Sequence, residues 1–236
     1  AYNTDPYPSG KMGVSLTSVE KLQRAVKMAH DNKLQLAVHA MGDKAIQTVI
    51  DVTKDMKPWL TTMPSVRIEH ASLMTDQMFA EIANSEMNYA LVTQPIFFFA
   101  EDESYRHYLS PAQFKLAYRV KTMLNSQAML GLSSDAPCTP WAEPDSPFYS
   151  IYAAVTRRAA NGDVVNAEEA ITVPQAIFGY TRDGAKIGGF DDNGTLEVGK
   201  AADFVILNDD IFTVAHSELK NIHVNETWMA GKRVME

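Results

Sequence analysis

The 236-residue chain has a single cysteine, Cys138, so no disulfide can form within it, and the cytoplasm is the expected compartment. It has no excess of positive charge. Lys and Arg number 21 against 29 Asp and Glu, for a formal net charge of -8, which leaves no basic face for a phosphate backbone and argues against nucleic acid as a partner. No apolar run approaches the roughly 18 residues of a membrane span, so no membrane partner is expected. Residues 1–16, with Pro6, Pro8, Gly10 and Gly13, read as a turn-rich loop and lack the basic and apolar regions of a signal peptide. Low-complexity tracts and internal repeats are also missing. With 46% hydrophobic and 21% charged residues, the composition is that of an ordinary soluble globular protein.

What is present is a series of strands that stop on polar side chains. In Leu34–Asp43, LQLAVHAMGD, alternating Leu34, Leu36 and Val38 predict a short buried strand ending at His39, and Gly42 turns the chain into a helix at about 43–55. The capping-box pattern Thr17-Ser-Val-Glu20 predicts a preceding helix at about 18–31. A second strand, Val66–His70, places Ile68 and His70 on one face and Arg67 and Glu69 on the other, where the latter two can pair. After a helix at about 75–84, a third strand runs from Tyr89 to Gln94 and stops at Pro95. Ile96–Ser110 carries Phe97, Phe98, Phe99, Tyr105, His107 and Tyr108, more aromatic surface than a connecting loop needs. It reads either as a hydrophobic plug or as the wall of a substrate pocket.

A helix at about 111–125 leads to a fourth strand, Ala128–Ser134, which ends on Asp135 before Pro137. Helices at about 148–160 and 167–179 follow. The period then changes: a turn at Asn193-Gly194, an apolar strand at 202–207 and a strand pair around Gly231 suggest a small β-domain from about residue 188. His30, His216 and His223 read as surface residues.

The strand ends at His39, His70, Gln94 and Asp135 are separated by 31, 24 and 41 residues. Parallel pairing of successive βα units would bring them to one rim. Two imidazoles and a carboxylate make up a zinc, manganese or iron donor set rather than a calcium or magnesium one. Such a site activates water for hydrolysis, with Asp135 able to bind the metal and accept the proton. The same side chains would equally serve as hydrogen-bonded caps on strand ends, and spacing alone leaves both readings open.

The segments HAMGDKAI at 39–46, RIEH at 67–70, SSDAP at 133–137 and GTLEVGKAADFVIL at 194–207 together resemble the C-terminal part of the amidohydrolase-3 (YtcJ-like) family of the amidohydrolase superfamily. That resemblance implies an α/β fold: a partial TIM-like (βα) barrel of about four units, similar to strands five to eight, over residues 1–187. Residues 188–236 would form part of a small β-sandwich. It also implies hydrolysis of amide-type, non-peptide C–N bonds in a small-molecule substrate, with one or two divalent ions, zinc foremost. His39, His70 and Asp135 would be metal ligands, and Asp135 the catalytic proton shuttle. Gln94 and His107 are substrate-contact candidates.

The family's His-x-His pair occurs nowhere in the sequence. A complete (βα)8 barrel needs about 250 residues by itself, so the expectation is a C-terminal fragment that is inactive alone. An open half-barrel has unpaired edges, which suggests a homodimer or pairing with the missing N-terminal half. A non-catalytic binding or regulatory module with the same fold is the alternative. A third reading is a complete doubly wound domain in which His39 and His70 are structural.

Overall fold

The computed structural model describes residues 13–139, 141 and 143–235, so the first twelve residues of the expected N-terminal loop lie outside it. Helix α1, Val19–Asn32, opens on Ser18, whose hydroxyl accepts from the Lys21 amide at 3.3 Å, one residue later than the Thr17 cap expected from sequence. Its end displaces the first strand. Lys33 takes a left-handed backbone (φ 54°) and the Leu34 amide returns to the Ala29 carbonyl at 2.9 Å. Leu34 is therefore an exposed part of the helix cap, and β1 is Leu36–Ala40.

The chain then alternates through α2 (Asp43–Thr53), β2 (Val66–His70), α3 (Asp76–Asn84), β3 (Tyr89–Thr93), α4 (Pro95–Tyr108), α5 (Pro111–Phe114), α6 (Val120–Leu124) and β4 (Met129–Leu132). The four strands form one parallel sheet in the order β1-β2-β3-β4. Val38, Ile68, Leu91 and Leu130 lie in register on the helix-covered face. His39, Glu69, Val92 and Gly131 lie in register on the other, inner face, where Arg67 and Glu69 form the expected ion pair. Continuous apolar burial on both faces is the rule for parallel strands. It holds for β3, whereas β1 alternates between half-buried and exposed until Ala40.

Two sequence expectations fail here, each for a visible reason. Ile96–Ser110 is mostly helix rather than loop: Pro95 occupies the first helical turn of α4, where its missing amide hydrogen costs nothing. Phe97, Phe98 and Phe99 are all buried, so α4 starts inside the core with no polar face to betray its period. Phe99 meets Trp141 edge-on at 4.9 Å, and Phe98 lies 4.3 Å beneath the buried guanidinium of Arg157. The single helix expected at 111–125 is two short ones. Asn166 Nδ2 donates to the carbonyls of Phe114 (3.0 Å) and Ala117 (3.2 Å), and Glu169 accepts from the Thr122 amide at 2.8 Å, so the intervening turn is held open from outside.

After α7 (Pro147–Thr156), a 3-10 turn at Ala167–Glu169 precedes α8 (Val173–Tyr180) and α9 (Arg182–Gly188); the helix expected from 167 thus begins at 173. Gly131 in β4 leaves room for Ile187 of α9, since a Cβ there would stand 2.9 Å from Ile187 Cδ1. The C-terminal strands β5 (Phe204–Leu207), β6 (Val224–Met229) and β7 (Lys232–Met235) form a separate antiparallel sheet. The tight turn at Ala230-Gly231 has positive φ at both residues, as a two-residue hairpin requires. Among the described residues no helix is long and apolar enough to cross a membrane.

Ile68 is fully buried at the centre of β2, while Val205 is 49% exposed on β5. Ile68→Ala is expected to lower unfolding free energy by about 2–5 kcal/mol in urea titrations, and Val205→Ala to change it by no more than about 0.5 kcal/mol.

Candidate metal centre

Parallel register brings the carboxyl ends of the four strands to one rim. His39 is exposed on the edge strand and shares the inner face with Glu69. Strand alternation alone would put the last residue of β2 on the opposite face with Ile68. The backbone turns instead: His70 and Ala71 adopt φ of 71° and 48°, a left-handed conformation that costs energy in residues other than glycine and is found disproportionately at functional sites. The His39 and His70 rings stand edge to face, their centroids 4.5 Å apart. Asp135, in the loop after β4 and also left-handed (φ 50°), brings Oδ2 to 4.0 Å from His70 Nε2. Phe97 of α4 stacks on His70 at 5.9 Å and closes the buried side.

Gln94, at the cap of α4, fixes the tautomer of His70. Its Nε2 faces the Ser133 hydroxyl at 2.8 Å and the Val92 carbonyl at 3.4 Å, and that carbonyl can only accept. The amide oxygen is thereby left to His70 Nδ1 at 2.9 Å, so Nδ1 carries the hydrogen and donates it. In the neutral ring Nε2 then carries the lone pair, and it lies 4.0 Å from Asp135 Oδ2. A ligand imidazole whose other nitrogen is anchored by a neighbour is the usual arrangement in metal sites. His39 is held below its ordinary pKa, first by lost hydration and then by the neighbouring His70, with Asp135 opposing, which favours the neutral ring that a metal requires.

Two imidazoles and one carboxylate fit a zinc-type ion in kind. They fall short in number and closeness: among the described residues no three His, Cys, Asp or Glu side chains converge tightly enough to hold an ion. The His70–Asp135 gap of 4.0 Å also exceeds the about 3.3 Å edge of a tetrahedral zinc shell.

The structure thus gathers His39, His70, Gln94 and Asp135 and leaves His107 apart, exposed on the last turn of α4 with its ring against Tyr108. Gln94 is 1% exposed, so it meets the site through His70 and not through a surface open to substrate. Sequence reading placed Phe97 in a stretch that could plug or wall a pocket without giving it a contact; its place beneath His70, and that of Glu101 at the kink, depend on α4 being helical. The 24-residue step from His70 to Gln94, between adjacent strand ends, was signal enough to pair those two.

A family model described as the amidohydrolase family matches residues 1–235. YtcJ of Bacillus subtilis (strain 168) is 28% identical over 239 aligned positions, covering 100% of this chain and 43% of YtcJ. An N-substituted formamide deformylase of Arthrobacter pascens is 27% identical over 93% of this chain and 40% of its own length. The crystal structure of an uncharacterised metal-dependent hydrolase from Pyrococcus horikoshii OT3 superimposes with a TM-score of 0.77 and 29% identity, covering 92% of this chain and 42% of that one. The chain therefore spans about two fifths of the length of each of these relatives.

Gln94→Leu removes the acceptor behind His70. In nitrogen-resolved imidazole NMR spectra the neutral His70 ring is expected as the Nδ1–H tautomer in the wild type and as a mixture in the variant. The orphaned buried N–H should cost about 1–3 kcal/mol of stability. A wild-type ring protonated on Nε2 would refute the assignment.

Proposed function

The chain belongs to the amidohydrolase family, and we propose that it supplies the histidine and aspartate side of a metal-dependent hydrolase centre acting on amide-type C–N bonds outside peptides. The observation that carries this reading is the convergence of His39, His70 and Asp135, with His70 anchored through Nδ1 by Gln94. His39 and His70 would hold a divalent ion, zinc by the donor set, with Asp135 as a further ligand. When bound, such an ion lowers the pKa of water toward about 7 and polarises a carbonyl.

The remaining work falls to this chain's own groups. Asp135, with 39% of its side chain exposed against 8% for His70, is the carboxylate open to both water and substrate. Its Oδ2 would take the proton released by the attacking water and return it to the leaving nitrogen. Phe97 and Gln94 keep His70 in one rotamer, so the donor geometry is prepared before substrate arrives. The deformylase relative is named for N-substituted formamides, and a small amide of that kind is the substrate class we assign.

Strands β1 and β4 each have one neighbour in the sheet. We take further strands, from a longer polypeptide or a second copy, to complete the barrel and its ligand set; without them hydrolysis by these four strands should be weak. The antiparallel sheet, with Val205, Ile206 and Met229 exposed, fits one layer of a small β-sandwich beginning near residue 188. A cytoplasmic location rests on the lone cysteine, Cys138. A non-catalytic module of the same fold is the competing reading, and the absence of a three-donor cluster among the described residues is what favours it.

Calorimetric titration of the chelated, dialysed chain with zinc and manganese is expected to give micromolar binding that disappears in a His39→Ala, His70→Ala double variant. Equal binding by both proteins would sink the metal assignment. With the remaining strands supplied in the same polypeptide, Asp135→Asn should reduce kcat for N-formyl amine hydrolysis by about 10²- to 10⁴-fold; unchanged turnover would remove Asp135 from the proton path.

A further inference from the structure

Beside the rim lies a cavity of about 170 Å³, bounded by Met41, Ser72, Glu101, Ser104, Tyr105 and Tyr108. Met41 and Ser72 each lie two residues beyond a rim histidine, a reach of no more than about 7 Å, so the cavity adjoins the candidate metal centre. Its size suits one small ring: an engineered apolar cavity of about 150 Å³ admits benzene.

The chemistry of the walls is uneven. Glu101 sits where α4 kinks, with φ -123° and ψ 16°, and is half-buried. Among the described residues no Lys, Arg or His lies within 4.0 Å of its carboxylate, whereas the adjacent Asp102 is paired with Arg106 at 2.7 Å. Burial raises the Glu101 pKa, opposed by the neighbouring Thr139 hydroxyl. Tyr105 is anchored through its hydroxyl to the buried Tyr118 hydroxyl at 2.6 Å, a rigid aromatic wall. A half-buried carboxylate with no cation within 4.0 Å among the described residues, between tyrosine rings and a methionine, is complementary to an organic ammonium ion carrying apolar substituents.

We propose that this cavity is the subsite for the nitrogen substituent of the substrate and binds the amine product as an organic ammonium ion, with Glu101 as the recognising carboxylate. Its place in turnover rests on the amide-hydrolase reading; the binding itself does not. Hydrolysis of an N-substituted formamide consumes one water and yields formate, an amine and one proton; the amine takes up that proton at neutral pH and becomes the cation the cavity selects. The amine is held while formate departs.

The test uses the chain without metal and requires no turnover. Benzylammonium and its neutral analogue benzyl alcohol are titrated into the wild type, Glu101→Gln and, as a control for overall charge, Glu103→Gln on the exposed face of the same helix. Binding is monitored by NMR shifts of the Met41 methyl and Tyr105 ring. The wild type and Glu103→Gln should prefer the ammonium ion by about tenfold or more, and Glu101→Gln should bind both probes alike. Equal affinity for the two probes in the wild type overturns the proposal by itself, however the variants fold, as does a preference retained in Glu101→Gln. Ammonium selectivity in this chain, with no formamide hydrolysis once the remaining strands are supplied in the same polypeptide with zinc, would overturn the hydrolase reading and leave the cation site standing. Hydrolysis without selectivity would do the reverse.

Discussion

Parallel pairing of four strands in register is the constraint on which the rest of this structure depends. It aligns half-buried Val38 with buried Ile68, Leu91 and Leu130 in one apolar row. By the same alignment it makes all four strands stop at one level, so the residues just past the end of one strand lie beside those just past the end of its neighbour. His39, His70, Gln94 and Asp135 are distant in sequence and adjacent in space for that reason, together with the left-handed backbone at His70 and Asp135. The helices cover the Val38–Leu130 face, and Ile187 of α9 packs on the other face at Gly131; the chemistry lies at the edge where the hydrogen-bonded ladder ends.

Within that rim the four side chains are not equivalent. His70 is buried, stacked on Phe97 and bonded through Nδ1 to a fully buried glutamine, so its orientation is determined by packing. His39 and Asp135 approach from exposed positions. The left-handed backbone of His70, Ala71 and Asp135 is the local cost of turning these side chains toward each other, and it falls where the strands give way to loops. A rim built this way has one side chain fixed by packing and two that approach from exposed positions.

Much of this was legible in the sequence. Period-two alternation located β2 and β3 closely, because both are bounded by clear turn residues, and the Arg67–Glu69 pair came from alternation alone. The β1 boundary slipped because Leu34 continues the apolar alternation while its backbone is already committed to capping α1. The Phe97–Phe99 run defeated periodicity: a helix buried on every side in its first turns has no polar stripe, and Pro95 reads as a stop when it is a start. That one misreading hid both the floor under His70 and the carboxylate at the kink. The break between α5 and α6 was illegible for a different reason, since Asn166 and Glu169 impose it from about fifty residues away.

The order of strands also divides the rim by persistence. Strands β2 and β3 have partners on both sides, whereas β1 and β4 are each bonded along one side only within the sheet. Amide exchange through local opening tracks such differences in support, and edge strands release their hydrogens well before central ones. His70 therefore belongs to a strand paired on both sides, with Gln94 just past the end of its neighbour β3, and His39 to a strand able to fray while the centre of the sheet stays closed. Dissociation of anything gripped at this rim would begin at its outer fingers, with the His70–Gln94 pair as the last hold to be released.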